Sequence, residues 1–288
     1  MPKLYVVATP IGNLSEASAR MVETLGSVQL ITAEDTRVTG GLLQHFGIRT
    51  PMTSLHRHNE AGKVPGIISR MLEEGIDVAL VTDAGTPAIS DPGHLLAQAA
   101  WEAGIEVLAV AGPSAMAAAL SVSGFDSREF AFYGFLPREK RDLTEKLLAM
   151  VKGPRVAVLH ESPHRVIALV EVVARTLPGC RVCACCDLTK RYEKTLLGSA
   201  ETVLQALRDN PKAEKGEYCV VLDLSDVQLP EEAPQAEVSL EARIFDNLLS
   251  GTSVQEAIDR VVVAGARKNE AKRAALRVKE VLHKGLDS

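Results

Sequence analysis

VTDAGTPAISDPG, residues Val81 to Gly93, closes the apolar run DVALV and holds two glycines, two prolines and two aspartates. An ordinary strand-to-helix turn needs one special residue, so this much backbone punctuation calls for something lying against the loop. Glycine lets the backbone approach a ligand and take positive φ, while proline fixes the turn. Around it, short apolar strands alternate with helical stretches. LYVVAT (4–9), QLITAE (29–34), DVALVT (77–82) and EVLAVAG (106–112) are strand candidates. Between them, SEASARMVETLGSV reads as a helix capped by Ser15, TGGLLQHFGI as a short helix, and VPGIISRMLEEG (64–75) and GHLLAQAAWEAG as two more. Strands separated by helical crossovers imply a largely parallel sheet covered on both faces.

In such sheets ligands settle beyond the carboxyl ends of the strands. Two further loops at strand ends are rich in Gly and Pro, ATPIGN (8–13) and AGPSA (111–115), and three such loops on one edge make one cleft. Neither GxGxxG after the first strand nor GxxxxGK[ST] occurs anywhere, so the cleft is not an ordinary dinucleotide or P-loop site.

At FYGFLPREKRDL the character changes, and a domain boundary is expected near Pro137. The second half repeats the α/β theme with strands RVAVLHES, RVCACCDL and GEYCVVLDL and the helix PHRVIALVEVVARTL. A Pro- and Glu-rich linker, SDVQLPEEAPQAEVSL, leads to two terminal helices, SVQEAIDRVVVAG and NEAKRAALRVKEVLHKG, broken at Gly265. The expected organisation is an amino-terminal α/β domain over 1–136 carrying the loops and a second α/β domain over 137–226 closing the cleft. A linker and helical extension over 227–288 complete it.

The 288 residues carry a formal net charge of −5, which excludes a global basic field for nucleic acid; any such contact must use a local patch. From Gly265 to Ser288 seven basic residues face three acidic ones, a local charge of +4. The amino terminus enters a strand without a basic region and long apolar stretch, and no run approaches the ~20 apolar residues of a membrane span. A cytoplasmic protein with no membrane contact is expected. CRVCACC (180–186) is read as a buried strand rather than a closed metal site, because no second ligand pair accompanies it. His56 and His58 lack a third ligand, so no metal is expected there either.

Charged groups cluster at strand ends. AEDTR brings Glu34 and Asp35 beside Arg37, LHESPHR holds Glu161 and Arg165, and DLTKRYE adds Lys190. These suit substrate positioning or proton transfer, and equally a structural ion pair at a helix start.

TPIGNL, AEDTR, DAGTPAISDPG, GPSA, GFLPREK, ESPHR, LTK and KGEYCVVL occur in that order from the first strand to the last strand of the second half. Together they resemble the tetrapyrrole methylase superfamily, and more closely its ribosomal RNA small subunit methyltransferase I family. Asp187 stands where that family usually has Glu, and the tail ARKNEAKRAAL lacks the family's tyrosine. The resemblance implies two α/β domains clasping S-adenosylmethionine, a homodimer, and methyl transfer to a cytidine ribose 2′-hydroxyl in the decoding region of 16S rRNA, free or within the 30S subunit. Carried over residue by residue, it places Pro10, Asp83, Ala84, Gly85, Thr86, Ile89, Ser114 and Ala115 at the cofactor, with Leu159 and Gly216 from the second domain. It also makes Glu34, Asp35, Arg37, Glu161, Arg165 and Lys190 the candidates for catalysis, and Arg267, Lys268, Lys272, Arg273 and Arg277 those for RNA contact. Two other readings are a methyltransferase of this fold acting on a tetrapyrrole or a protein side chain, and a non-catalytic RNA-binding factor.

Overall fold

The structure, a computed structural model, describes residues 1–229 and 239–284. It falls into two compact units, Met1–Gln228 and Leu229–Ser288. Most of the expected linker, 230–238, lies outside the described residues.

The first unit begins with β1 (Lys3–Val7), α1 (Ala19–Ser27), β2 (Leu30–Ala33), α2 (Thr36–His45), β3 (Met52–Ser54), α3 (Glu60–Glu74), β4 (Val78–Val81), α4 (His94–Glu102) and β5 (Glu106–Val110). All pairings are parallel, in the order β3-β2-β4-β1-β5. The period-two geometry of β4 splits its side chains between two cores. Val78 and Leu80 join Leu4, Ile67, Met71 and Leu96 under α3 and α4, while Ala79 and Val81 join Met21, Leu25, Ile31 and Leu43 under α1 and α2. Burial on both faces is why the strands read as continuous apolar runs.

Then come α5 (Ala115–Ser123), β6 (Phe130–Phe135), α6 (Lys140–Met150), β7 (Val156–Glu161), α7 (Val166–Thr176), β8 (Arg181–Cys186), β9 (Lys194–Ser199), α8 (Ala200–Arg208) and β10 (Tyr218–Asp223). They build a second sheet, β6-β7-β10-β8-β9, in which only β6 and β7 run parallel. Helix α5 follows the first sheet but buries Ala119 and Leu120 against Val158, Cys183, Cys185 and Val221 of the second. The cysteines there serve as small apolar residues.

Several local expectations need correcting. Ser15 does not cap α1: it sits in a short 3-10 turn, Leu14–Glu16, where Asn13 accepts the Ser15 backbone N–H at 3.1 Å. The cap is Ser18, whose hydroxyl accepts from the Met21 amide at 3.0 Å. Strand β3 was not foreseen, being only three half-buried residues. Helix α3 starts at Glu60, before the expected Val64, and carries Pro65 inside it.

That early start matters. Glu60 is 2% exposed, and its carboxylate accepts from the amides of Gly93 (2.9 Å) and Leu95 (3.0 Å) at the start of α4. The contact fixes the far end of the 82–93 loop, and an anion is favoured at a helix amino terminus. Gly93 is confined to glycine, since its φ is +125° and a Cβ there would come within 2.6 Å of Leu80.

The second unit contains α9 (Leu240–Leu249), α10 (Val254–Val263) and α11 (Lys268–Lys284), so the tail holds three helices rather than two. Ile244, Ile258, Val261, Ala271, Ala274 and Val278 form its core. Ser253 and Glu256 close α10 with a reciprocal capping box. No helix among the described residues is long and apolar enough to cross a membrane.

Replacing Glu60 by Ala strips two buried amides of a charged acceptor and is expected to cost about 3 kcal/mol of stability, by the usual worth of hydrogen bonds to charged groups. Urea unfolding measures it; a midpoint equal to that of the parent protein would contradict the assignment.

Candidate functional site

Because all five strands of the first sheet are parallel, their carboxyl ends emerge along one edge. Strands β4, β1 and β5 are neighbours, so the three Gly/Pro loops lie side by side, and the backbone fastens them together. Thr9 and Gly85 exchange both backbone hydrogen bonds, at 2.9 and 3.0 Å. The Thr9 hydroxyl donates to the Thr82 carbonyl at 3.2 Å, and that of Thr86 to the Pro113 carbonyl at 3.5 Å. A Cβ on Gly112 would sit 3.0 Å from that of Ala8, a tight contact that glycine avoids. Within the 82–93 loop, Ala88 (φ 64°) and Ser90 (φ 69°) occupy the left-handed region without being glycine. Such strain costs on the order of 1–3 kcal/mol per residue and gathers at functional sites.

The second sheet faces this edge across a cavity of about 380 Å³, within the range of small-molecule sites. Ile11, Gly85, Thr86, Ile89 and Asp91 form one wall, and Ser114, Ala115 and Met116 bring the start of α5 to it. Opposite stand Phe132, Phe135, His160, Glu161, Leu188 and Tyr218. The lining mixes an apolar body with few polar groups and suits a ligand with an apolar ring and charged ends. Ser114 caps α5, and the first amides of a helix have no intrahelical partner, which suits a carboxylate or hydroxyl.

Lys190 crosses between the walls. Its ammonium bonds Glu217 at 2.7 Å and Asp187 at 3.0 Å, while its stem runs where a Cβ on Gly12 would be. Burial alone would lower the Lys190 pKa, but the two carboxylates win and raise it. It is a held cation, not a proton acceptor. Asp187 (φ 53°) and Thr189 (φ 67°) are also left-handed, and Gly216 (φ 87°) leaves room for the Asp187 carboxylate.

The polar groups of the cavity are unusually unsatisfied. His160 Nε2 is buried without a hydrogen-bond partner among the described residues, and Glu161 Oε2 meets only the Arg165 guanidinium, at 3.4 Å. Burial lowers the His160 pKa, so its ring stays neutral, with Phe132 edge-on at 5.0 Å. Burial raises the Glu161 pKa against the opposing pull of the Ser162 amide and Arg165. Asp91, on the facing wall, is pushed up to about 6 by burial and then by the neighbouring Glu34 charge. Glu34 and Asp83 are raised too, each by partial burial first.

Of the residues expected at the cofactor, Ala84, Gly85, Thr86, Ile89, Ser114 and Ala115 line the cavity. Pro10 is buried in the β1 loop, and Asp83 lies outside the lining, accepting the Asp35 amide at 3.0 Å. The Leu159 side chain is fully buried in the core, because alternation along β7 turns its neighbour His160 to the cavity. Gly216 stands behind the lining, against Asp187. Of the catalytic candidates, Glu161 and Lys190 line the cavity; Glu34, Asp35, Arg37 and Arg165 do not. Asp35 caps α2 and is clasped by Arg37, whose side-chain bonds hold its pKa down at about 2. Arg165 donates to the carbonyls of Leu136 (3.3 Å) and Pro137 (3.0 Å) and lies 3.4 Å from Glu161. Asp91, His160 and Phe135 were missed. Asp91 stood in the quoted loop, but nothing in its local spacing marks it as half-buried against the second sheet.

In the second unit Arg267, Lys268, Lys272, Arg273 and Arg277 are all exposed, on α11 or just before it. Arg277 pairs with Glu241 of α9 at 3.0 Å, and Arg267 lies 3.9 Å from Glu270.

The sequence profile of the Tetrapyrrole (Corrin/Porphyrin) Methylases matches residues 3–204. The ribosomal RNA small subunit methyltransferase I of Synechocystis sp. is 43% identical over 220 residues, 76% of this chain and 78% of that protein. The protein of the same name from Pseudomonas aeruginosa is 39% identical over 274 residues, 92% of this chain and 94% of its own length. Among solved structures, a diphthine synthase superimposes with a TM-score of 0.62 at 12% identity, covering 79% of this chain and 92% of that one, a likeness of fold.

The Asp91 carboxyl carries its proton to higher pH in the folded protein than in the unfolded chain, so folded protein binds more protons between about pH 4 and 6. Stability is therefore lost as pH rises through that window. Asp91→Asn is expected to be more stable than the parent at pH 7.5, with the gain vanishing below pH 4, as urea midpoints at the two pH values would record. A variant equally or less stable at pH 7.5 would contradict a half-buried carboxylate held without an ion-pair partner.

Proposed function

Because the chain belongs to the tetrapyrrole methylases and, within them, to the ribosomal RNA small subunit methyltransferase I family, we propose that it methylates ribosomal RNA of the small subunit. The donor is S-adenosylmethionine, and the acceptor is a cytidine ribose 2′-hydroxyl in the decoding region of 16S rRNA, in the 30S particle or free RNA. The observation that carries this reading is the cavity between the welded loops and the second sheet, in a chain 43% identical to a relative of that name.

The residues present fit the cofactor. Gly85, left-handed and closed in by Ile11, makes a backbone cradle that a side chain would fill. Ile89, Met116 and Leu188 offer apolar surface for an adenine, and the α5 start offers amides for a carboxylate. When bound, the donor supplies a sulfonium-activated methyl group. What the chain contributes is alignment, which in well-oriented reactions is worth ~7–11 kcal/mol. It also contributes a place for the proton of a weakly acidic hydroxyl. Asp91 and Glu161, the cavity carboxylates without an ion-paired lysine, are suited to receive it. Lys190, held by Asp187 and Glu217 of the second half, lays its stem against Gly12 at the edge of the site.

Lys268, Lys272 and Arg273 make the second unit the RNA-contacting tail, with α10, the Gly265 turn and α11 as a helix-turn-helix. A homodimer in the cytoplasm completes the reading, by analogy with the family.

Incubation with labelled S-adenosylmethionine and 30S particles or small-subunit RNA, followed by mapping of ribose methylation, is expected to place label on one cytidine; absence of label from RNA would overturn the reading. Gly85→Trp is expected to abolish cofactor binding in calorimetry. Lys268→Glu with Lys272→Glu and Arg273→Glu is expected to weaken RNA binding by at least tenfold while leaving cofactor affinity unchanged.

A further inference from the structure

Two further hollows continue the cavity along the first unit. The nearer, about 440 Å³, shares Phe135, Glu161 and Ser162 with the cavity and adds Arg138 and Arg165. The next, about 190 Å³, shares Arg138 and Arg165 with it and adds Lys140 and Arg175. The common walls make one train from the cavity past the Pro137 turn into the space between α6 and α7.

Its charge is uneven. The two acids along it are already engaged, Glu161 with Arg165 at 3.4 Å and Glu171 with Arg208 at 3.2 Å. Among the described residues, Arg138, Lys140 and Arg175 have no carboxylate within ion-pair distance, whereas the nearby Arg141 has Glu145 at 2.9 Å. Arg165 is fixed in place by the Leu136 and Pro137 carbonyls, both taken by a single guanidinium nitrogen. In a chain of net charge −5, a stretch of uncompensated cations running out of a cavity makes a local positive field that favours an anionic occupant.

The spacing narrows the occupant. A single phosphate or carboxylate would use one cluster, but these cations are distributed over two successive hollows, as a repeating anion requires. At the junction stands Phe135, 60% exposed, on the wall of both the cavity and the first hollow. An exposed aromatic beside a basic track is the combination that holds single-stranded nucleic acid, through base stacking and phosphate contacts. An acidic peptide would have no use for the ring.

We infer that the groove lined by Arg138, Lys140, Arg165 and Arg175 carries the phosphodiester backbone of the acceptor RNA next to the reacting nucleotide, with a flanking base stacked on Phe135. This surface lies within the catalytic unit, separate in sequence from the basic tail, and it rests on the proposed RNA-directed activity.

The test uses the full-length protein, small-subunit ribosomal RNA and S-adenosylmethionine. Arg138→Glu, Lys140→Glu and Arg175→Glu are each expected to weaken RNA binding about tenfold and to raise KM for RNA more than they lower kcat. The slope of log affinity against log salt should flatten by about 0.7 per lost contact. Phe135→Ala should weaken binding with no change in that slope. In the three charge reversals cofactor affinity should stay at the parent value, which also reports that they are folded, and Arg138→Lys should keep most of the RNA affinity. Arg70→Glu, on the distant α3, controls for net charge. Parent-like RNA affinity and KM in the three reversals and in the milder Arg138→Gln would overturn the groove while leaving the methyltransferase reading intact. Loss of binding to poly-glutamate, with RNA binding untouched, would reassign the groove to an acidic peptide. A parent protein that neither binds nor methylates the RNA would remove both proposals together.

Discussion

The reciprocal backbone pair between Thr9 and Gly85 is the constraint on which the site depends. It joins the loop after β1 to the loop after β4, and the close approach of Gly112 to Ala8 brings in the loop after β5. Three turns that would otherwise move separately become one surface. The strain at Ala88 and Ser90 persists because both ends of their loop are fixed, one by that pair and the other by the buried Glu60 carboxylate.

Helix α5 turns that surface into a cavity. It leaves the carboxyl end of β5 beside the welded loops and buries its apolar face in the second sheet. The packing that holds α5 therefore also sets the distance between the cavity walls, and the Lys190 stem packs against Gly12 at the rim. Between those walls the unpartnered Nε2 of His160 and the raised Asp91 are costly to the fold alone. A charged, hydrogen-bonding ligand gives them a purpose.

The first sheet was legible because its strands are short, apolar and separated by turn residues, and because all run the same way: loops read at strand ends had to share an edge. Gly85, Thr86, Ile89, Ser114 and Ala115 were named by the family resemblance, and they lie on the loops of that shared edge. The sense of the second sheet was not legible, since a doubly buried strand such as Val182–Cys185 has the same composition whether its neighbours run parallel or antiparallel. Asp35 and Arg37 drew attention by their charge, yet they satisfy each other at a helix start. Asp91 and His160 carry the perturbed environments, and burial of that kind is a property of packing between segments far apart in the chain. The third tail helix, α9, escaped notice beside the Pro- and Glu-rich stretch, although Ser239 caps it and Ile244 anchors it in the core.

The central claim is that the donor lies between the welded loops and the second sheet. Diffraction from crystals grown with S-adenosylhomocysteine tests it most directly. The account predicts ligand density against Gly85, Ile89 and Ala115 on one side and Leu188 and Tyr218 on the other, with the Thr9–Gly85 pair intact. Density on any other face of the molecule, or these walls packed against each other with no room between them, would contradict it.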